Sequence, residues 1–292
     1  MSSRDNDCLH RFVFERSDVR GELVHLDASW QAVLERKDYP APVRELLGQA
    51  LVAATLLSAT IKIDGFLQLQ LRGEGPLSLL LVEVTAQRTL RALAHWGGEV
   101  PVAPLPEQVG KARLMLTIDP GTGGERYQGL VAIEEASLTA TLENYFRQSE
   151  QLDTRLWLAA DAERACGMLL QRLPGRDVDA ADWEHDVCLG DTISADELLH
   201  LPTRELLRRL YHEQDVRLFE AEPVSFRCSC SSERIATMLR GLGYDEVQDI
   251  LEEQGNVSVN CEFCAQLYSF DRVDVERLFA AADQPEVPHT RH

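Results

Sequence analysis

Apolar and polar positions alternate strictly over 66–72 (FLQLQLR), the period of a strand with one face buried and one wet. Gly73-Glu74-Gly75-Pro76 turns the chain, and 77–84 (LSLLLVEV) follows as a more continuously apolar strand. The same reading predicts strands over 112–118, 127–133 and 154–160, and helices over 29–36 and 138–148. Runs of strands with occasional helices predict an α+β fold rather than alternating βαβ units.

One segment breaks the pattern. Residues 46–61 (LLGQALVAATLLSATI) have no charge and no polar face, and Arg44, Glu45, Lys62 and Asp64 bracket them. The stretch is shorter than the ~20 residues a membrane-crossing helix needs. It therefore predicts a core helix rich in small residues, covered on all sides, with β-sheets packed around it.

Composition adds limits. The chain has 292 residues, is 45% hydrophobic and 26% charged, and has a formal net charge of -19, which fits a folded cytoplasmic protein and disfavours nucleic acid as a partner. The first ten residues lack the apolar run of a signal peptide, and no membrane association is expected. Residues 1–175 carry a net charge of -5, 176–225 one of -8 and 226–292 one of -6. This step, with the turn residues Leu173-Pro174-Gly175-Arg176, predicts an N-terminal α+β domain over 1–175, an acidic helical linker over 176–225, a small C-terminal module over 226–285 and a tail over 286–292.

No nucleotide loop, His-Glu-x-x-His or Gly-x-Ser-x-Gly motif occurs, so no enzymatic activity is expected. His25 and His95 read as structural or surface histidines, and Cys8, Cys166 and Cys188 as ordinary isolated thiols. The other four cysteines form close pairs: Cys228-Ser-Cys230, then Cys261-Glu-Phe-Cys264 at the tip of a hairpin between 257–259 and 267–270. Two pairs at a distance present four thiolates to one tetrahedral ion, and the expected cofactor is a single Zn2+ held by Cys228, Cys230, Cys261 and Cys264. Between the pairs the pattern predicts two short helices. Ser231 or Ser232 caps the first, with Ile235, Met238, Leu239 and Leu242 on its apolar face; Asp245 caps the second and Gly255 ends it.

Four sulfur ligands leave no position for a reactive water, so hydrolytic zinc chemistry is not expected. A static structural zinc and a redox-sensitive one both fit the spacing. An oxidant that joins the thiols as disulfides would remove every ligand together.

With these residues assembled, the sequence resembles the 33-kDa redox-regulated heat-shock chaperones, ATP-independent holdases of bacteria. The likeness runs through 46–65, GERYQG (124–129), YFRQSEQLDTRLWL (145–158), GMLLQRLPG (167–175), LPTRELLRRLYHE (201–213) and the cysteine pairs. Ala265 stands where many members have Gly. The resemblance implies a protein that is inactive when reduced and zinc-bound. Oxidation, with heat or hypochlorite, then forms Cys228–Cys230 and Cys261–Cys264 disulfides, releases zinc and unfolds a metastable linker. The active form, a homodimer, binds unfolding client proteins and passes them to ATP-driven foldases.

The linker suits that picture. Ser194 and Glu197 form a capping box, and Leu198, Leu199, Leu201, Leu206, Leu207, Leu210, Tyr211, Leu218 and Phe219 make apolar faces on acidic helices. These faces are expected to lean on the cysteine module and, once freed, to bind clients; the client-binding set is Leu198, Leu199, Leu206, Leu207, Leu210, Tyr211, Leu218 and Phe219. Two other functions compete. Cys261-Glu-Phe-Cys264 alone suggests a thiol–disulfide oxidoreductase, although a hairpin is the wrong context. A static zinc-ribbon adaptor that binds proteins is the other alternative.

Overall fold

The computed structural model describes residues 6–173 and 180–280. The predicted boundary at 173–176 and the tail at 286–292 fall wholly or largely outside them. In chain order the elements are β1 (Cys8–Phe14), β2 (Val19–Leu26), α1 (Ala28–Leu34), α2 (Ala41–Thr60), β3 (Phe66–Gly73), β4 (Leu77–Thr85), β5 (Thr89–Trp96), α3 (Leu105–Val109), β6 (Ala112–Asp119), β7 (Tyr127–Ala132), α4 (Leu138–Tyr145), β8 (Thr154–Ala160) and β9 (Ala165–Arg172). Next come α5 (Ala180–Gly190), α6 (Ala195–His200), α7 (Thr203–Tyr211), β10 (Val216–Leu218), β11 (Glu222–Pro223) and β12 (Ser225–Phe226). The last described elements are α8 (Ser232–Leu242), α9 (Tyr244–Gln254), β13 (Val257–Asn260), β14 (Leu267–Phe270) and α10 (Arg272–Ala280). It divides into two compact units between Arg227 and Cys228.

The first unit is an α+β domain with two sheets. One is ordered β10-β1-β2-β9-β8, with β11 also on β1; the other is β12-β5-β4-β3-β6-β7. The apolar segment predicted as a core helix is α2. Pro40 precedes it and Pro42 lies in its first turn, where the missing N–H costs nothing. It packs on β2, β8 and β9 of one sheet and on β3, β4 and β5 of the other, and from Ala50 to Ala59 every residue is buried. Gly48 permits this closeness, since a Cβ there would sit 2.4 Å from the Ala160 methyl. Among the described residues no helix is long and apolar enough to cross a membrane.

Some expectations needed adjustment. The helix expected over 29–36 ends at Leu34, and the one over 138–148 turns into a π-helical turn, Phe146–Glu150, closed by Gln151 at φ +54°. Strands β2 and β9 were not foreseen. Both are buried along almost their whole length, which erases the alternation that reveals a strand.

The linker helices have a partner other than the one expected. Leu198, Leu199, Leu206, Leu207, Leu210 and Tyr211 form one buried cluster with Phe12, Phe14, Val19, Leu23, Met168 and Leu170, on the face of the first sheet away from α2. The Tyr211 ring meets Phe14 edge-on at 5.0 Å, and its hydroxyl donates to the Asp186 carbonyl at 3.3 Å. The expectation that these faces lean on the cysteine module is therefore corrected: an apolar sheet face was available within the first unit. The Ser194–Glu197 capping box is formed as predicted.

In the second unit Ser231 caps α8, as predicted, with its hydroxyl accepting from the Arg234 N–H. Gly243, at φ +103°, and not Asp245, precedes α9; Gly255 ends it at φ +79°. The core is small, made by Leu239, Val247, Leu251, Val257, Phe270, Val275 and Leu278. Of the apolar face predicted on α8, Met238 and Leu242 remain about half exposed.

Leu206 is fully buried under α7. Leu206→Ala should weaken docking by about 2–5 kcal/mol, seen as faster hydrogen exchange across 203–211 while β3 to β6 keep their protection.

Candidate metal centre

Each cysteine pair lies outside helix and strand. Cys228 and Cys230 lie in the short segment between β12 and α8; Cys261 and Cys264 form the tip of the β13–β14 hairpin. The hairpin closes through Cys261 N–H to the Gln266 carbonyl at 2.9 Å and Ala265 N–H to the Cys261 carbonyl at 2.8 Å. Ala265 holds φ +56°, a left-handed conformation. The turn that suits Gly is thus kept with Ala, at a conformational cost.

The four sulfurs lie within 4.8 Å of one another, and among the described residues they are the one His/Cys/Asp/Glu group that could hold a metal ion. The shortest approaches, Cys230–Cys264 at 3.3 Å and Cys228–Cys261 at 3.6 Å, cross between the pairs. For four sulfurs each ~2.3 Å from a tetrahedral ion, the edge is about 3.8 Å. A disulfide would bring them to about 2.05 Å, and none of the seven cysteines is in one. The spacing and the soft donors fit zinc, and the four cysteines would hold it with no position left for water.

Tyr268, on β14, was not singled out in the sequence. Its hydroxyl donates to Cys230 Sγ at 3.1 Å. Desolvation raises the Cys264 thiol to about 12 and also lifts Cys228. At Cys230 desolvation is outweighed by the Tyr268 hydroxyl and the neighbouring thiols, and the value falls to about 7. The Tyr268 hydroxyl thus favours the thiolate form of Cys230 and is placed to orient it as a ligand. A tyrosine four residues beyond Cys264 was the available sequence signal.

The isolated cysteines lie elsewhere. Cys166 is buried beside the Leu199 carbonyl and burial pushes its thiol far up; Cys188 is exposed and Cys8 is half-buried on β1. His25 is buried and His95 half-buried. Of the proposed client-binding residues, Leu198, Leu199, Leu206, Leu207, Leu210 and Tyr211 are buried, Leu218 is half-buried and Phe219 is 44% exposed.

The other sequence motifs explain themselves as packing. Tyr127 of GERYQG and Tyr145 both donate to Glu150 of the π turn at 2.8 Å, and a Cβ on Gly129 would lie 2.4 Å from the Tyr145 hydroxyl. Arg155 joins Glu143 and Asp191, each at 3.0 Å, tying β8 to α4 and to the residue after α5.

Ala265→Gly should relieve roughly 1 kcal/mol of backbone strain. Apparent zinc affinity, measured by chelator competition, should rise by about fivefold.

Comparison with known proteins agrees with this architecture. The family model described as Hsp33 protein matches residues 7–271. A 33 kDa chaperonin of Nitrosococcus oceani is 53% identical over 292 residues, covering 100% of both chains. One from Methylobacillus flagellatus is 46% identical over 278 residues, 94% of each chain. The crystal structure of the 33 kDa chaperonin (heat shock protein 33 homolog) from Thermotoga maritima aligns at a TM-score of 0.83, covering 95% of this chain and 100% of that one, and its 20% identity makes it a likeness of fold. A family match from the first strand to the edge of the last helix, with a relative more than half identical along the whole chain, places this protein in the Hsp33 family of chaperones.

Proposed function

We propose that this chaperone is a redox-controlled, ATP-independent holdase of the cytoplasm, inactive while Cys228, Cys230, Cys261 and Cys264 hold Zn2+. The observation that carries the reading is the convergence of four thiols in a unit with little other core. Structural zinc contributes ~10–16 kcal/mol of apparent binding free energy to such modules. A unit this small has few other means of staying folded.

Oxidation then acts on the ligands themselves. Each disulfide forms as two thiolates give up two electrons to an oxidant such as hypochlorous acid, which is reduced to chloride and hydroxide. The pairing proposed, Cys228–Cys230 and Cys261–Cys264, differs from the closest approaches of the assembled cluster. It becomes local once the two pairs separate, because each pair is close in sequence. No ligand remains, and the second unit loses its main support.

The linker over 176–225 is the proposed responder. Its apolar side chains are buried on the first sheet, while Arg204, Glu205, Arg208 and Glu213 face water. Release would expose Leu198, Leu199, Leu206, Leu207, Leu210 and Tyr211, joining Leu218 and Phe219, in a segment whose charge keeps it soluble. Unfolding clients would bind there, to a homodimer, and pass to ATP-driven foldases. No catalysis is required of the protein itself.

Light scattering from a denaturant-unfolded client tests the reading, with zinc release followed in parallel. Suppression by the oxidised, zinc-depleted protein alone is the expected result; equal inactivity of both forms would leave a static zinc adaptor. Hydrogen exchange should show protection at 194–219 lost on oxidation, and protection that survives would remove the linker from the mechanism. Chelation under reducing conditions should unfold 228–280 and leave 66–119 protected.

A further inference from the structure

At the C-terminal end of α2, three arginines meet two carboxylates. Arg11 lies between the carboxylates on the first sheet. Glu22 stands directly across the β1–β2 ladder from it, and Glu222 of β11 pairs with it at 3.0 Å. Arg88, from the β4–β5 turn, donates Nε to the other oxygen of Glu222 and Nη1 to the Ser58 hydroxyl, both at 3.0 Å. Arg20 donates to the Thr60 carbonyl at 3.1 Å and to Gln171.

Two features stand out. Arg88 holds φ +58°, a conformation that favours glycine, so its side chain is kept there against the backbone's preference. Glu22 is 2% exposed, and its Oε2 has no hydrogen-bond partner among the described residues. Burial is the main cause that raises its carboxyl, to about 7; Arg20, Arg11 and Arg88 oppose the rise and Glu222 adds to it.

The same arginines hold the strap that leads towards the cysteines. Phe219 N–H bonds to the Arg11 carbonyl at 2.9 Å, Ser225 N–H to the Arg88 carbonyl at 3.1 Å and Val224 N–H to the Asp7 carbonyl at 2.7 Å. Arg11 and Arg88 thus grip residues 216–226 twice, by backbone and by guanidinium.

We propose that Glu22 and Glu222 compete for the Arg11–Arg88 pair, and that this competition makes the grip on the 216–226 strap proton-dependent. While Glu222 occupies both guanidiniums, Glu22 is buried and repelled by it, and holds its proton up to about pH 7. When the strap lifts, Glu222 leaves with it. A cavity of about 380 Å³ lined by Arg11, Ser58, Thr60, Lys62 and Arg88 lies beside the clasp and admits water. Glu22 then ionises, releases its proton to solvent and takes the two arginines.

The direction follows from linkage. Glu22 binds its proton more tightly with the strap seated than with it lifted. The seated form is therefore fully favoured below the lifted-state pKa, and loses that advantage as pH rises through the seated-state value. The charged groups facing Glu22 are Arg11 from β1, Arg20 from its own strand, Arg88 from the β4–β5 turn and Glu222 from β11. Ser58 and Thr60 of α2 and Gln171 of β9 complete the polar surroundings, and none of them titrates in this range. The proposal rests on the reading above for its consequence, since it adds a second control to a segment released on activation.

The test uses the reduced, zinc-loaded full-length protein and needs no oxidation. Protection factors of the Phe219, Val224 and Ser225 amides are measured by hydrogen exchange. Wild type should lose about fivefold protection between about pH 6 and 8. Glu22→Gln should be flat over that range, and Glu222→Gln weakly protected throughout. Arg88→Gly, which suits its turn, should also loosen the strap. A wild-type slope in Glu22→Gln, or wild-type protection in Glu222→Gln, overturns the proposal. If Glu22→Gln does not fold, carboxyl NMR titration of Glu22 decides: its midpoint falls in Glu222→Gln if the two compete, and an unchanged midpoint refutes competition. Should oxidised protein fail to suppress aggregation while these shifts are present, the holdase reading falls and the clasp stands.

Discussion

The first sheet is apolar on both faces, and a sheet of that kind must be covered twice. The α2 helix covers one face permanently, from between the two sheets. The other face is covered by chain that arrives 135 residues after the end of α2, as α6 and α7. Those helices are six and nine residues long. Isolated helices below about 12–15 residues are marginal in water. Helix and sheet therefore depend on each other: the sheet face needs a cover, and the helices have no other means of staying helical.

The second unit solves a related problem differently. Its apolar side chains are few, and it gathers four sulfurs from one hairpin tip and the segment before α8. A hydrophobic core weakens gradually as contacts are lost, whereas a tetrahedral sulfur site is lost once its ligands bond to one another. The two units thus have different failure modes within one chain, one resting on area and the other on ligand chemistry.

Much of this was legible in the residues, for physical reasons. The cysteine spacing carried the ligand set, since few other arrangements place two close thiol pairs so. Residues 46–61 carried the buried helix, because an apolar stretch with no polar face has to be enclosed. Strands β2 and β9 were hidden by the same burial that makes them central, with no wet face to produce alternation. The neighbour of Leu206 and Tyr211 was misjudged because an amphipathic face states that it needs a partner without stating which. Tyr268 and the Arg11–Glu222–Arg88 clasp depend on pairings between distant strands, which local spacing does not report.

The pairing of β1 with β10 has a consequence for how the protein is made. Phe12 lies opposite Leu218, and Leu9 opposite Glu222, so the first strand finds its edge partner only after more than 200 residues have followed it. At a synthesis rate of ~5–20 residues per second, that delay is roughly 10–40 seconds. Long-range pairing of this kind also slows folding in general. During synthesis the aromatic face of Phe12 and Phe14 is left without its cover. A member of a chaperone family thus passes the first part of its own existence with an apolar sheet face uncovered.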